Sequence, residues 1–162
     1  MKLTPILTFL AFALHSFAAL PQVDFVATTD TVPCYEFLEV TLNVAQSDAQ
    51  NPFTDVTVEG RFQLEGEKPL TVDGFCDSAD GRVFRIRFMP SKPGTYDYAV
   101  TYREGAFEQK HQGRFVAQDA KKRGIVRVDP EFPAHFQWEG SKERYFWNGT
   151  TTYWLAGWDD ET

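Results

Sequence analysis

The stretch that decides the fold is RVFRIRFMPSKPGTYDYAVTY, Arg82 to Tyr102. Each half repeats apolar or aromatic side chains at every second position: Phe84, Ile86 and Phe88, then Tyr96, Tyr98, Val100 and Tyr102. A period of two is typical of a β-strand that buries one of its faces. Between the halves, Pro90, Pro93 and Gly94 exclude a helix and favour a turn. The stretch therefore predicts two strands joined by a turn.

The same period recurs upstream in EFLEVTLNV, residues 36–44, and DVTVEGRFQL, residues 55–64. Gly60 falls on an apolar face and indicates a bulge or a close approach of another chain segment. Asp80-Gly81 is a dipeptide favoured in tight hairpin turns. Short strands separated by turn signals predict an all-β protein, with an antiparallel β-sandwich of the immunoglobulin or fibronectin III type over residues 20–118. No Trp lies between the two cysteines, so the Cys–Trp–Cys pattern of antibody domains is absent.

Composition limits the possible partners. The formal net charge is −7 and the pI is about 4.9. Nucleic acids and anionic membranes bind clustered Lys and Arg, so neither is an expected partner. His111 and His135 are far apart, and no pair of residues has metal-ligand spacing. We expect no metal site and no cofactor.

The N-terminus has the features of a secretory signal peptide, residues 1–19. Lys2 precedes an apolar run that starts at Ile6, and small residues follow at Ser16, Ala18 and Ala19. The run is shorter than the 20 or so residues that a membrane-spanning helix needs. A buried N-terminal helix is the alternative. The sequence predicts a secreted or periplasmic protein that has no membrane segment after cleavage.

Cys34 and Cys76 are the only cysteines. An oxidising compartment would permit a disulfide between them. Sequence does not show whether they approach within bonding distance, so two separate thiols are the other interpretation.

The composition changes near residue 120. AQDAKKRG, residues 117–124, is typical of a linker, and all four tryptophans lie beyond it. Residues 119–149 are predicted to be this linker followed by the short strand-like pieces IVRVD, HFQWEG and RYFWNG. In residues 150–162, TTTYWLAGW is predicted to be a strand that is apolar on both faces. Such strands belong inside larger sheets.

Three segments together resemble a known family: NPFTDVTVEGRF (51–62), VDGFCDSADGRVFRIRFMPSKPGTYDYAVTY (72–102) and GIVRVD (124–129). They look like an immunoglobulin-like β-sandwich domain of unknown function, found at the N-terminus of many secreted bacterial proteins. In that family the domain precedes a TIM-barrel glycoside hydrolase, often described as apiosidase-like or collagen-binding. The resemblance covers residues 20–158. One departure is Cys76, where the family has an aromatic residue.

The end of the chain, RYFWNGTTTYW, resembles the entry into that barrel. Gly149, Thr151 and Tyr153 match the motif of the first barrel strand. The resemblance implies that residues 150–162 are the first strand of a (β/α)8 barrel and that the chain stops at its start. It also implies that the intact protein is a glycoside hydrolase whose catalytic carboxylates come from later strands. We therefore assign no catalytic residue to this chain.

The resemblance implies a non-catalytic accessory role for the sandwich, as structural support and part of the wall of the substrate cleft. Its partner would be the downstream barrel, and a polysaccharide is a possible ligand. Tyr153, Trp154 and Trp158 are candidates for stacking on sugars in the intact enzyme, although core packing is the alternative. Asp159 to Glu161 are interpreted as a solvated loop. Two other hypotheses stay open: a free-standing secreted module that binds carbohydrate or a surface protein, and a fragment with no independent function.

Overall fold

The computed structural model describes residues 22–149, and this range is all-β, with no helix among the described residues. The all-β prediction is therefore confirmed for this part of the chain. The predicted signal peptide (1–19) and the predicted first barrel strand (150–162) lie outside the described residues.

One sheet has four antiparallel strands in the order β1-β3-β7-β6. Strands β3 and β7 come from the alternating segments found in the sequence. The bounds are β1 Val23–Ala27, β3 Leu38–Val44, β6 Phe75–Cys76 and β7 Val83–Phe88.

The second sheet has five strands in the order β2-β9-β8-β4-β5, and it is mixed because β2 pairs with β9 in parallel. Its bounds are β2 Thr31–Pro33, β4 Val56–Leu64, β5 Leu70–Asp73, β8 Gly94–Glu104 and β9 Phe107–Gln118. The chain passes from this sheet to the four-stranded one at Gly74, between β5 and β6. A Cβ atom at Gly74 would lie 2.8 Å from the Arg85 carbonyl oxygen, so the crossing requires glycine.

A third, three-stranded antiparallel sheet follows in the order β10-β11-β12. Its strands are short: β10 Val126–Val128, β11 Phe136–Trp138 and β12 Arg144–Tyr145.

The two larger sheets enclose one core. Phe62 of the five-stranded sheet stacks on Phe88 of the four-stranded sheet at 4.2 Å between ring centroids, and Phe84 meets Tyr102 edge-on at 5.6 Å. The apolar faces predicted for β3, β7 and β8 are all buried. The close approach predicted at Gly60 is confirmed, since a Cβ there would lie 2.5 Å from Ile86 Cδ1.

A charged cluster lies on the outer face of the four-stranded sheet. Glu39 is only 7% exposed, and its two carboxylate oxygens accept hydrogen bonds from Arg85 at 2.5 Å and Arg87 at 2.7 Å. Burial opposes the charged form, but the hydrogen bonds from the two guanidinium groups outweigh it and lower the pKa of Glu39 below the ordinary 4.5. The ion pairs therefore stabilise the fold while Glu39 is ionised.

We expect Glu39→Gln to lower the free energy of unfolding by about 1–2 kcal/mol at pH 7, since Arg87 loses its anion, Arg85 keeps only Asp77, and both guanidinium groups remain partly in water. The pKa of Glu39 is lower in the folded state than in the unfolded state. The stabilisation by the two ion pairs is therefore complete above the unfolded-state pKa, and it is lost as the pH falls through the folded-state pKa. The deficit of the variant should therefore shrink once the pH drops below about 4.5. Urea unfolding of the wild-type protein and the variant at pH 7 and at pH 3 measures this difference in stability.

Glu108→Gln is the matched control, because Glu108 pairs with Arg103 at 2.7 Å on the exposed surface. It should change the stability by less than about 0.5 kcal/mol. Equal effects of the two substitutions would contradict a stabilising role for the Glu39 cluster.

Candidate functional site

The three-stranded sheet has one apolar face, which we call the aromatic face. Between β10 and β11 the register pairs Val126 with Trp138 and Val128 with Phe136. Between β11 and β12 it pairs Phe136 with Tyr145, so apolar residues lie side by side across the three strands. The opposite face carries polar residues at the intervening positions. The aromatic face comprises Val126, Val128, Phe136, Trp138 and Tyr145, extended by Trp147.

The rings of the aromatic face contact one another. Trp138 and Tyr145 meet edge-on at 5.2 Å, and Trp147 lies 6.0 Å from Phe136 and 6.2 Å from Tyr145. Phe136 and Trp147 nevertheless remain exposed, as does Val128. A contiguous exposed group of large apolar side chains is typical of a surface that contacts a protein or a ligand.

Tyr35 fixes the position of this small sheet. Its backbone has a positive φ of 67°, and its ring lies between Gly124 and Gly140, where added Cβ atoms would come within 2.8 Å of ring carbons. The neighbouring Glu36 forms an ion pair with Lys122. Burial first, and then the negative charge of Glu139, raise the pKa of Tyr35. The aromatic face is thus held at a defined place beside the loop that joins β2 to β3.

Glu139 also lies at this junction. Its Oε2 atom is buried and has no hydrogen-bond partner among residues 22–149, and the Nε of Arg127 lies 3.5 Å away. That distance satisfies an ion pair but is poor for a hydrogen bond, so the contact is mainly electrostatic.

Of the site residues predicted from the sequence, the structure describes only the two cysteines. Tyr153, Trp154 and Trp158 lie outside the described residues. Cys34 and Cys76 are free thiols, and the possible disulfide is not formed. Cys76 pairs with Phe84, whereas Tyr35, the residue after Cys34, donates a hydrogen bond from its amide to the Pro90 carbonyl. Phe84 and Pro90 are six residues apart along β7 and the extended chain after it, so the two cysteines are separated by roughly 20 Å. A disulfide needs Cα atoms within about 7 Å.

The two thiols have different surroundings. Burial, and then the negative charge of Asp119, raise the pKa of the Cys34 thiol. The Cys76 Sγ donates to the Ser78 carbonyl at 3.2 Å.

Among residues 22–149, no group of three or more His, Cys, Asp or Glu side chains is placed to hold a metal ion. Within the same range, no helix is long and apolar enough to cross a membrane.

The aromatic face was not predicted from the sequence, in which the three strand-like pieces appear only as separate elements. The available signal was the alternation within them, which places Val126 and Val128, Phe136 and Trp138, and Tyr145 and Trp147 each on one side of its strand.

Comparison with known protein families finds one similarity, which covers part of the chain. Residues 31–103 match the family model described as a domain of unknown function, DUF5060, which covers a little under half of the chain. No curated protein matches the sequence.

Among solved structures, the chain is similar to a candidate glycoside hydrolase from Bacteroides vulgatus ATCC 8482, with 29% identity and a TM-score of 0.63. The likeness covers 83% of this chain and 25% of that one, so the chain spans about a quarter of that relative's length.

Two other likenesses are weaker and carry no argument. An engineered protein has 18% identity and a TM-score of 0.41, covering 62% of this chain and 20% of that one. A superoxide reductase (neelaredoxin) from Ignicoccus hospitalis has 12% identity and a TM-score of 0.39, covering 62% and 81%. The comparisons together support a β-rich accessory domain of unknown function related to part of a candidate glycoside hydrolase.

Proposed function

We propose that this chain is the accessory domain of a secreted glycoside hydrolase, and that its aromatic face contacts the catalytic domain. The described residues would form an immunoglobulin-like β-sandwich with the small sheet attached. The polypeptide beyond Gly149 would enter a TIM barrel, which carries out the hydrolysis. The accessory domain would support the barrel and form part of the wall of its substrate cleft.

The observation that carries this proposal is the position of the aromatic face. Trp147 belongs to the face and lies two residues before Gly149, where the described chain ends. Polypeptide that continues from this point begins beside an exposed apolar surface. A relative with 29% identity that extends to about four times the matched length is consistent with such a continuation.

The face also suits burial against protein. Its exposed members are aromatic or β-branched, and aromatic residues are enriched in the cores of interfaces. The Tyr35 junction holds the face in place before contact, so little conformational entropy is lost on docking.

The test is the intact mass of the secreted protein, together with its activity on polysaccharides and aryl glycosides. We expect a mass several times the 18.5 kDa of this chain, because the related hydrolase is that much longer. We also expect glycoside hydrolysis by the intact protein. A secreted product whose mass corresponds to a chain that stops at Thr162 would overturn the proposal.

A secreted product of that smaller mass would favour the alternative of a free-standing binding module. The observation in its favour is the strong exposure of Phe146 and Trp147, whose rings could stack on sugars. Affinity electrophoresis in polysaccharide gels, with Trp147→Ala as the comparison variant, would then test glycan binding.

A further inference from the structure

A second surface of mixed character lies on the outer face of the four-stranded sheet. The guanidinium carbon of Arg87 is 5.1 Å from the centre of the Phe37 ring and 5.3 Å from that of the Phe75 ring. Met89 directly follows β7, two positions after Arg87 in the sequence. All three apolar side chains are exposed. We call Phe37, Phe75, Arg87 and Met89 the Arg87 patch.

The Arg87 patch is held rigid by its own contacts. The register pairs Arg87 with Glu39, and their side chains bond at 2.7 Å. Glu39 is nearly buried and is fixed in turn by Arg85. Because Arg87 contacts two aromatic rings and Glu39, its side chain has little conformational entropy left to lose when a partner binds.

The composition of the patch indicates the kind of partner. Aromatic residues, Met and Arg are enriched in the cores of protein interfaces. The charge of Arg87 is already offset by Glu39, so the patch has little attraction for a free anion. It fits a mainly apolar protein surface.

The position of the patch adjoins the junction that holds the small sheet. Phe37 follows Tyr35 and Glu36, the residues that contact Gly124, Gly140 and Lys122. The Tyr35 amide donates to the carbonyl of Pro90, the residue after Met89. The Arg87 patch and the small sheet therefore meet at one boundary.

From these contacts we infer that the Arg87 patch is a second contact surface for the polypeptide that follows Gly149. This rests on the proposed function and extends it, because the following domain would be seated against both the small sheet and the four-stranded sheet. A covalent tether raises the effective concentration of such a partner to the millimolar range, so a modest patch is sufficient. An untethered partner would need a larger interface.

Hydroxyl-radical footprinting of the intact secreted protein tests this, with phenylalanines compared only with one another. Phe37 is 51% exposed and Phe75 is 41% exposed in the described structure, and Phe53, in a turn away from the patch, is 64% exposed. If the patch is covered, Phe37 and Phe75 should be labelled at least about fivefold more slowly than Phe53, since side chains in interface cores are desolvated. Labelling in proportion to their exposures would overturn the inference.

Phe136, which is 37% exposed, separates this inference from the proposed function. Protection of Phe136 with normal labelling of Phe37 and Phe75 would overturn the second surface alone. Normal labelling of all three would overturn docking by the aromatic face as well. The measurement is repeated over a hundredfold dilution: protection that persists supports the tethered partner, and protection that disappears assigns the patch to a second copy and overturns this assignment.

Discussion

Replacement of Phe62 by alanine is expected to lower the free energy of unfolding by about 3–5 kcal/mol, the usual range for a fully buried Phe. Phe62 is 1% exposed and stacks on Phe88 at 4.2 Å, with Tyr98 at 5.8 Å. Because Phe62 and Phe88 belong to different sheets, the substitution leaves a cavity at the interface that holds the sheets together. Typical domains are stable by about 5–15 kcal/mol, so the variant should lose a large part of its stability.

Urea unfolding followed by far-ultraviolet circular dichroism measures this loss. Phe53→Ala is the matched control, since it removes the same atoms from an exposed turn. It should shift the free energy of unfolding by no more than about 0.5 kcal/mol. A loss below about 1 kcal/mol for Phe62→Ala would mean that the two sheets do not depend on this contact.

The strands that sequence predicts well are those whose inner faces are apolar throughout. In β3, β7 and β8, apolar residues alternate with polar or small ones because each large sheet buries one face against the other, although a few outer positions such as Glu39 and Thr101 are also covered. Their alternation therefore follows directly from the packing of the two large sheets around one core.

Strand β9 was not predicted as a separate element, although it is the longest strand. Its inward positions are Gln109, His111 and Gly113 before Phe115 is reached, so the apolar period is missing. Gln109 and His111 instead make contacts with residues distant in the sequence. Gln109 exchanges two hydrogen bonds with the backbone of Val23, and His111 stacks on Phe25 at 5.3 Å. These contacts depend on the tertiary arrangement, which local pattern cannot reveal.

Local sequence pattern was also insufficient to predict the two candidate surfaces. The alternation in β7 places Arg85 and Arg87 on the side opposite to Ile86, but their pairing with Glu39 follows only from the register of β3 against β7. The aromatic face likewise requires that three short strands, separated by turns, align in one register. Sequence identified the residue types, and the pairing of the strands determined which of them meet.

The junction at Tyr35 determines where the aromatic face points, so its disruption has the second large expected effect. Gly124→Ala is expected to lower stability by about 2–5 kcal/mol, the sum of a left-handed backbone penalty and overpacking. Gly124 has a φ of +79°, and its added Cβ would lie 2.7 Å from Tyr35 Cε1 and 2.8 Å from the Gly140 amide nitrogen. The small sheet should move away from Tyr35 to relieve these contacts.

Gly66→Ala provides a closely matched control. Gly66 has a φ of +78°, yet no atom of the part of the chain that the structure describes lies within 4 Å of an added Cβ. It should therefore carry the backbone penalty alone, about 1–2 kcal/mol. The difference between the two variants isolates the contact with Tyr35 and Gly140 from the strain that both alanines share.

Hydrogen exchange of the amides in β10 and β11 locates the effect. Gly124→Ala should accelerate exchange there by about tenfold or more relative to Gly66→Ala, since each 1.4 kcal/mol is a factor of ten. Exchange in β3 and β7 should change less, because Tyr35 packs against the core between the large sheets without being one of its fully buried members. If the two variants exchanged alike in β10 and β11, Tyr35 would not be what holds the small sheet. The aromatic face would then have no fixed orientation from which to dock.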